Sequence, residues 1–520
     1  MRWRSAGGPR TAVVIGGGFS GLASAALLAR EGLEVTLLEA METPGGRAGE
    51  WSHEGFRFET GPSWYLMPEV FERFFSQFGT SAAVELDLIR LDPAYRVFFE
   101  GDSVPFELPA EGALEALQDL EATPGSLGAY MESSAEAYRL AAERLLYRPY
   151  DSVGDFLDPT VLRRLPRLVR LLGEPLEQFI ARHTDDPRVE KILGYPAVFL
   201  GTSPAAAPSM YHLMSHLDIT QQVLYPRGGF SAVVQAVVRI AEQSGVRLRT
   251  GCRVQHITGA SGDVTGVHLI TSDGCREFLA ADVVVSTADM HRTETELLQP
   301  QHRTRSARSW RRRDPGPGAV LGLLGVEGEL PELAHHSLFF TQDWQRGFDE
   351  ISGARPSGGP PRSLYVCRPS ATDDVAPPGH ENLFLLVPTR ADTALGAGGV
   401  DGAGDAPVER IVDESIRQIA SWAGIDGLRD RIVVRRSIGP ADFARDLGAW
   451  CGGALGPAHT LRQSAFLRGP IRSAKLTGLY YAGSTTMPGI GVPMCLISAE
   501  LVRTALRRDR AGVPEGAPYA

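Results

Sequence analysis

Residues 11–47, TAVVIGGGFSGLASAALLAREGLEVTLLEAMETPGGR, constrain the fold more than any other stretch of the chain. Ala12–Ile15 is a short apolar, largely β-branched run, the pattern of a parallel strand buried on both faces. Gly16, Gly18 and Gly21 follow at G-x-G-x-x-G spacing, where a helix should begin. The first glycine permits a tight turn, the second lets the backbone approach a pyrophosphate, and the third lets helix pack on strand. Free N–H groups at the helix N-terminus attract phosphate charge. Glu39 stands at the tip of the next strand, Val35–Leu38, where a carboxylate can accept hydrogen bonds from an adenosine ribose. This order predicts an adenine dinucleotide.

At 520 residues the chain exceeds the size of a single core, so two or more lobes are expected. Its composition, 43% hydrophobic and 22% charged, is that of an ordinary globular protein. A net charge of −10 argues against a general nucleic-acid binder, so no nucleic-acid partner is expected. The cysteines (Cys252, Cys275, Cys367, Cys451, Cys495) are odd in number and contain no C-x-x-C pair. They suggest a reducing, cytoplasmic compartment rather than a disulfide framework. The histidines are scattered without ligand spacing, and no metal is expected. Arg2, Arg4 and Arg10 before Ala23-Ser24-Ala25 imitate a secretory signal, but the glycine spacing accounts better for that stretch. No run approaches the ~18 apolar residues of a spanning helix.

After Glu39 come Gly45, Gly46 and Arg47. In a flavoprotein the doublet would bring backbone close to the ribityl-pyrophosphate, and Arg47 would add charge. Residues 111–200 read as mainly helical. Within them Val161–Leu172 (VLRRLPRLVRLL) interleaves Arg163, Arg164, Arg167 and Arg170 with leucines, a pattern suited to an anionic lipid surface. Leu224–Ile257 restores α/β character with a turn, a helix and strands near Val246–Arg249 and Arg253–Ile257. A hairpin and a return strand follow over 263–285. The interval to about 434 reads as short strands alternating with loops, among them PSGGPPR and GAGGVDGAGDAP as flexible excursions. His302–Arg313 (HRTRSARSWRRR) reads as a solvated basic helix face. Near the C-terminus a strand (Leu479–Ala482) leads through a glycine/proline loop to a helix from about Val492. Gly483, Gly489 and Gly491 crowd that loop, as close approach to a flat ring requires, and the helix start offers N–H groups to it. No second G-x-G-x-x-G lies between a strand and a helix, so electrons are expected to leave to oxygen, a quinone or another diffusible acceptor.

Four segments together resemble the bacterial carotenoid desaturases of the phytoene desaturase type, within the FAD amine-oxidase-like superfamily. They are GGGFSGLASAALLAREGLEVTLLEA, PGGRAGEWSHEGFRFETGPSWYLMP, YPRGGFSAVVQAVV and LYYAGSTTMPGIGVPMCLISAELV, with DFARDLGAW and LRQSAFLRG as supporting stretches. The resemblance implies an α/β fold: a discontinuous Rossmann-like FAD-binding domain (11–80, 222–295 and 435–507), a mixed-sheet substrate domain (81–221 and 296–434) and a flexible tail (508–520). The helical part, 111–200, would touch membrane. The resemblance assigns Gly16, Gly18, Gly21, Glu39, Gly46, Arg47 and Val254 to FAD, and lays Gly483 and the loop Gly489, Gly491 and Val492 against the flavin. SVGDFL (Ser152–Leu157) resembles a stretch bearing an acid tied to proton chemistry, here Asp155, although the arginine that follows it in relatives is not cleanly matched. The implied reaction is FAD-dependent desaturation of a long apolar isoprenoid, phytoene towards neurosporene or lycopene. The enzyme would collect that substrate as a cytoplasmic protein peripherally bound to the membrane. Alternatives are an isomerase, a ketolase, a desaturase of another carotenoid, an amine oxidase, or a prenyl-binding escort without redox chemistry.

Overall fold

The computed structural model describes residues 10–121, 125–148, 165–355, 359–460, 462–464 and 467–512. Five parallel strands form the sheet on which the site is built: β1 (Thr11–Ile15), β2 (Glu34–Leu38), β3 (Arg247–Arg249), β4 (Val283–Ser286) and β5 (Leu479–Tyr481). They lie in the order β5-β4-β1-β2-β3. The strand order therefore reverses between β1 and β4, the place where open α/β sheets bind ligands.

Three helices set the geometry around β1: α1 (Phe19–Arg30), α2 (Gly229–Gln243) and α3 (Val492–Arg510). Every residue of α1 from Phe19 to Leu28 is buried, because α2, α3 and the sheet enclose it. The small side chains Ala23, Ser24, Ala25 and Ala26 permit such close packing. Gly21 is the tightest point, since a Cβ there would overlap the carbonyl oxygen of Gly16. At the edge of the sheet, Cys252–Ala260 begins an antiparallel meander with Asp263–Thr271 and Arg276–Ala280. The Cys252 N–H donates to Glu39 O at 2.7 Å, and this brings the strand carrying Val254 to the end of β2.

A seven-stranded mixed sheet forms the second lobe, in the order Ile432–Ile438, Pro317–Glu327, His380–Arg390, Leu364–Cys367, His336–Phe340, Tyr95–Phe99, Phe106–Leu108. Two of these strands run for 11 residues, and an 18-residue helix, Ala406–Ala423, covers the sheet. The interval read as short strands and loops is thus regular structure. Gly318, Gly322 and Gly325 had broken its apolar run. Gly325 is glycine because a Cβ would come within 2.7 Å of the Phe56 ring. Alternate residues face opposite ways, Val320 and Leu324 towards the helix and Leu321 and Leu323 towards Phe56 and Phe58.

Two surface expectations change. The segment GAGGVDGAGDAP is pinned rather than loose: Gly398 N–H donates to Asp442 Oδ2 at 2.6 Å and Gly399 N–H to Ser437 Oγ at 2.9 Å. His302–Arg313 contains only a short helix, Ala307–Trp310. Trp310 is buried there, and Arg313 donates to Arg468 O at 2.8 Å. Within Val161–Leu172, residues 161–164, including Arg163 and Arg164, lie outside the described residues, as does Asp155. The helix Leu165–Gly173 leaves Val169 and Leu172 exposed beside Arg170. Arg167 is paired with Glu136. Among the described residues no helix is long and apolar enough to cross a membrane.

Two buried acids anchor the lobes. Asp218 accepts hydrogen bonds from the Tyr195 hydroxyl at 2.7 Å and the Tyr95 hydroxyl at 3.3 Å, and burial pushes it up to about 7. Glu59 accepts the Ser231 N–H at 2.7 Å at the start of α2, and burial again pushes it up to about 7. The folded chain therefore keeps protons on these groups at pH values where unfolded carboxyls, near 4, have lost them. Their share of the stability is lost as pH rises from about 4 to about 7, whereas buried neutral imidazoles such as His335 and His212, held below their usual value, add stability over that range. Glu59→Gln with Asp218→Asn should therefore make Tm rise more steeply from pH 4 to pH 7 than it does in the unaltered chain. Gly21→Ala should cost ~1–3 kcal/mol in chemical denaturation, by forcing α1 off β1.

Candidate active site

The site begins where β1 ends. Gly16 has φ +99° and donates its N–H to Leu38 O at 2.8 Å, and a Cβ would meet Thr287 Oγ1 at 2.7 Å. The Thr287 hydroxyl in turn donates to Ile15 O at 2.8 Å. Gly16 and Gly21 are therefore required by the protein's own packing. Gly18 is different. Its backbone is extended (φ −75°, ψ 179°), and a Cβ would meet nothing closer than Gly45 O at 3.7 Å. It caps α1 without any side-chain hydrogen bond, so the first-turn N–H groups stand open beside a glycine that no neighbouring protein atom demands. A ligand lying against the backbone accounts for both features.

Glu39 is buried, with Oε2 accepting Gly17 N–H at 2.5 Å and Oε1 accepting Met41 N–H at 2.8 Å. Each oxygen keeps a lone pair for a ribose hydroxyl. The glycine doublet closes over the turn: Gly45 N–H donates to Gly17 O at 2.9 Å, and Gly46 packs on Gly18. Arg47 is partly buried and spends its Nε–H on Ala454 O at 2.9 Å. Val254 is buried just beyond the tip of β2, next to a register shift in its strand.

From the other end of the chain, Gly483 leaves β5 with its N–H donated to Ser498 Oγ at 3.0 Å. Gly491 (φ +114°) caps α3, again without a side-chain cap, and Val492 is the first helical residue. The Ser20 hydroxyl in the first turn of α1 donates to Cys495 O in the first turn of α3 at 3.1 Å. Two uncapped helix N-termini thus adjoin, one at each end of the crevice. The expected cofactor residues Gly16, Gly18, Gly21, Glu39, Gly46 and Arg47 gather at the first, and Gly483, Gly489, Gly491 and Val492 at the second. These features fit an FAD: the first terminus would hold its diphosphate and the second would face its ring.

Residues with no sequence signal complete the second end. His459 Nε2 accepts the Ile490 N–H at 3.2 Å, so Nδ1 carries the hydrogen and donates to the Tyr211 hydroxyl at 2.8 Å. Burial holds His459 far below its usual pKa, and the ring is neutral. Gly489 is glycine because a Cβ would overlap this ring. Arg468 is 1% exposed and donates to Pro457 O at 2.8 Å and to Ser484 O at 2.5 Å. Burial pulls it down to about 9, which leaves it charged near neutral pH.

Beside the loop stands an aromatic wall. Trp64 stacks on His336 at 4.3 Å and meets Tyr95, Tyr195, Phe199 and Tyr365 at 5.6–6.2 Å. Leu200, next to Phe199, accepts the His459 N–H through its carbonyl at 3.0 Å, which couples wall to loop. His336 Nδ1 bonds the Tyr365 hydroxyl and His335 Nδ1 bonds Thr372 Oγ1, each at 2.7 Å. Burial keeps both imidazoles neutral and pushes the Cys367 thiol up to about 12. A ligand nitrogen of each ring and the Cys367 sulfur lie within 4.8 Å of one another, a juxtaposition that sequence spacing does not reveal.

The chain matches the model of the flavin-containing amine oxidoreductases over residues 19–502. It is 39% identical over 503 residues to a carotenoid 3,4-desaturase of Haloarcula japonica, covering 96% of this chain and 98% of that protein. It is 34% identical over 505 residues to a zeta-carotene-forming phytoene desaturase of Myxococcus xanthus, covering 96% and 94%. Among solved structures, an oxidoreductase from Methanosarcina mazei superposes with TM-score 0.62 at 17% identity, covering 95% of this chain and 100% of that one. Putrescine oxidase superposes with TM-score 0.57 at 15% identity, covering 96% and 99%. These two likenesses bear on the fold. The chain belongs to the flavin-containing amine oxidoreductase family and is an FAD-dependent oxidoreductase of the carotenoid-desaturase type.

Proposed function

We propose that this protein desaturates a forty-carbon isoprenoid, taking phytoene towards neurosporene or lycopene. The observation that carries the reading is the direct link, through His459 and Leu200, between the cofactor loop and an aromatic wall. Bound FAD supplies a two-electron acceptor that takes a hydride. The chain holds the loop Gly489–Val492 in place through His459, and the open N–H groups of α3 face negative charge as it develops. Trp64 and its neighbouring rings orient the hydrocarbon and exclude water. A proton then leaves the neighbouring carbon. Asp155 is the candidate acceptor on resemblance, outside the described residues. Oxygen or a quinone would be the acceptor to which the electrons leave.

Desaturation of a carotenoid at the 3,4 position is a second reading. It is favoured by the 39% identity to the Haloarcula protein, which exceeds the 34% to the phytoene desaturase. In either case the substrate resides in a bilayer, and we assign collection from the membrane to the exposed Val169, Arg170 and Leu172. The cofactor lobe comprises 11–80, 222–295 and 435–507, with the substrate lobe between these segments.

FAD-loaded protein incubated with phytoene liposomes should yield products of longer chromophore by HPLC. Unchanged phytoene together with a new 3,4 double bond in a conjugated acyclic carotenoid would select the second reading, and no change in either would reject carotenoid desaturation. Gly18→Ala should leave unfolding unchanged yet weaken FAD binding at least tenfold, an effect of about 1.4 kcal/mol. Val169→Glu with Leu172→Glu should reduce co-sedimentation with anionic liposomes several-fold.

A further inference from the structure

Arg468 is the largest fully buried side chain among the described residues, and its hydrogen bonds all go to carbonyl oxygens. No carboxylate among the described residues pairs with it. Arg313, which donates to Arg468 O, adds positive charge rather than offsetting it. A buried, unbalanced cation is costly, and a protein retains one where an anion arrives to meet it. Arg468 grips Ser484, the residue after Gly483 on the cofactor loop. Its charge and that of Arg47 both act on the Cys495 thiol in the first turn of α3.

The local balance of charge identifies the anion. At the first helix terminus Arg47 and about half a charge from α1 face the buried Glu39 carboxylate, and the two charges of the FAD diphosphate would exceed what remains. At the second terminus Arg468 and about half a charge from α3 make roughly one and a half positive charges, and no carboxylate among the described residues is paired with Arg468. Accepting a hydride adds two electrons and one proton to a neutral ring, and so one net negative charge. Substrate loses that hydride and then a proton.

We propose that Arg468 supplies the matching charge, stabilising the reduced flavin and so raising its reduction potential enough to draw a hydride from an allylic carbon of the isoprenoid. The inference rests on the flavin reading of the site and is independent of which carotenoid is desaturated.

The test uses FAD-loaded protein and two probes that need no substrate, the two-electron midpoint potential and the dissociation constant of sulfite, which adds to the oxidised ring and leaves it anionic. Arg468→Met should retain FAD, raise the sulfite constant at least tenfold and lower the potential, about 30 mV for each tenfold change in the reduction equilibrium. Arg468→Lys, which keeps the charge without the fork, should restore most of both. Cys495→Asp leaves Arg468 and its hydrogen bonds in place but sets a carboxylate beside it, so it should shift both readouts in the same direction as Arg468→Met. It serves if the methionine variant does not fold. FAD retained with both readouts unchanged, in Arg468→Met or in Cys495→Asp, overturns the proposal. A loss of FAD affinity with neither readout moved would place the charge on the diphosphate and also overturns it. A wild-type protein that refuses FAD would instead reject the flavin reading itself.

Discussion

The contact on which the rest of the structure depends is the meeting of α1 and α3 at their first turns, where the Ser20 hydroxyl bonds Cys495 O across 475 positions of sequence. Ion pairs fasten α3 along its length, Glu500 to Arg73 of the helix Pro68–Ser76 at 3.0 Å and Arg507 to Glu31 at the end of α1 at 2.6 Å. Neither helix has a side-chain cap, so each arrives at the junction with unsatisfied N–H groups. Pointing two such termini into one crevice is unfavourable for the empty chain and favourable for an anionic cofactor. The cost of assembling the site is thus recovered when the cofactor binds. The cofactor site also cannot form until the last helix of the chain has docked, a closure over nearly the whole sequence.

The glycines of the crevice divide by what forbids a side chain. Gly16 and Gly21 are forbidden one by Thr287 and by the Gly16 carbonyl, so they serve the strand–helix junction. Gly489 is forbidden one by the His459 ring and serves the loop. Gly18, Gly483 and Gly491 would meet no protein atom closer than 3.6 Å, and they lie along the line from the open end of α1 to the open end of α3. The glycines with room around them are the ones we propose for the path of the cofactor, a distinction that the motif spacing alone does not contain.

That contrast explains what was legible in the chain. β1, α1, β2 and the loop before α3 were readable because their signals are local: a periodic pattern, a turn residue and a cap within a few positions. The long strands Pro317–Glu327 and His380–Arg390 were not, because burial on both faces removes the alternation that marks a strand. The glycines that admit Phe56 further disguised the first of them. His459 carries no local signal, and although Arg468 and Trp64 fall within stretches that carry the resemblance, nothing in those stretches shows what they do. Each is defined by its partners, Ile490 for His459, Pro457 and Ser484 for Arg468, and His336 on the mixed sheet for Trp64. Even the basic run before Arg313 misleads when read locally, since Trp310 and Arg313 turn inward to the segment that holds Arg468.

The loop Gly483–Gly491 separates two kinds of environment, and the chemistry follows from the separation. On one side lie Arg47, Arg468 and the two helix termini, with the Glu39 carboxylate beside the first of them. On the other lie Trp64, Tyr195, Phe199 and imidazoles that burial keeps neutral. Removing a hydride from a hydrocarbon leaves positive charge on carbon, and a cationic wall beside the substrate would oppose it. Confining the guanidiniums to the cofactor side, and facing the other side with neutral imidazoles and with rings that bond the buried Asp218, favours charge separation in one direction. The aromatic faces present negative potential to a carbon that becomes electron-poor. The same partition excludes water from the apolar side, because the ionised groups that would draw water in are fastened to carbonyls behind the loop.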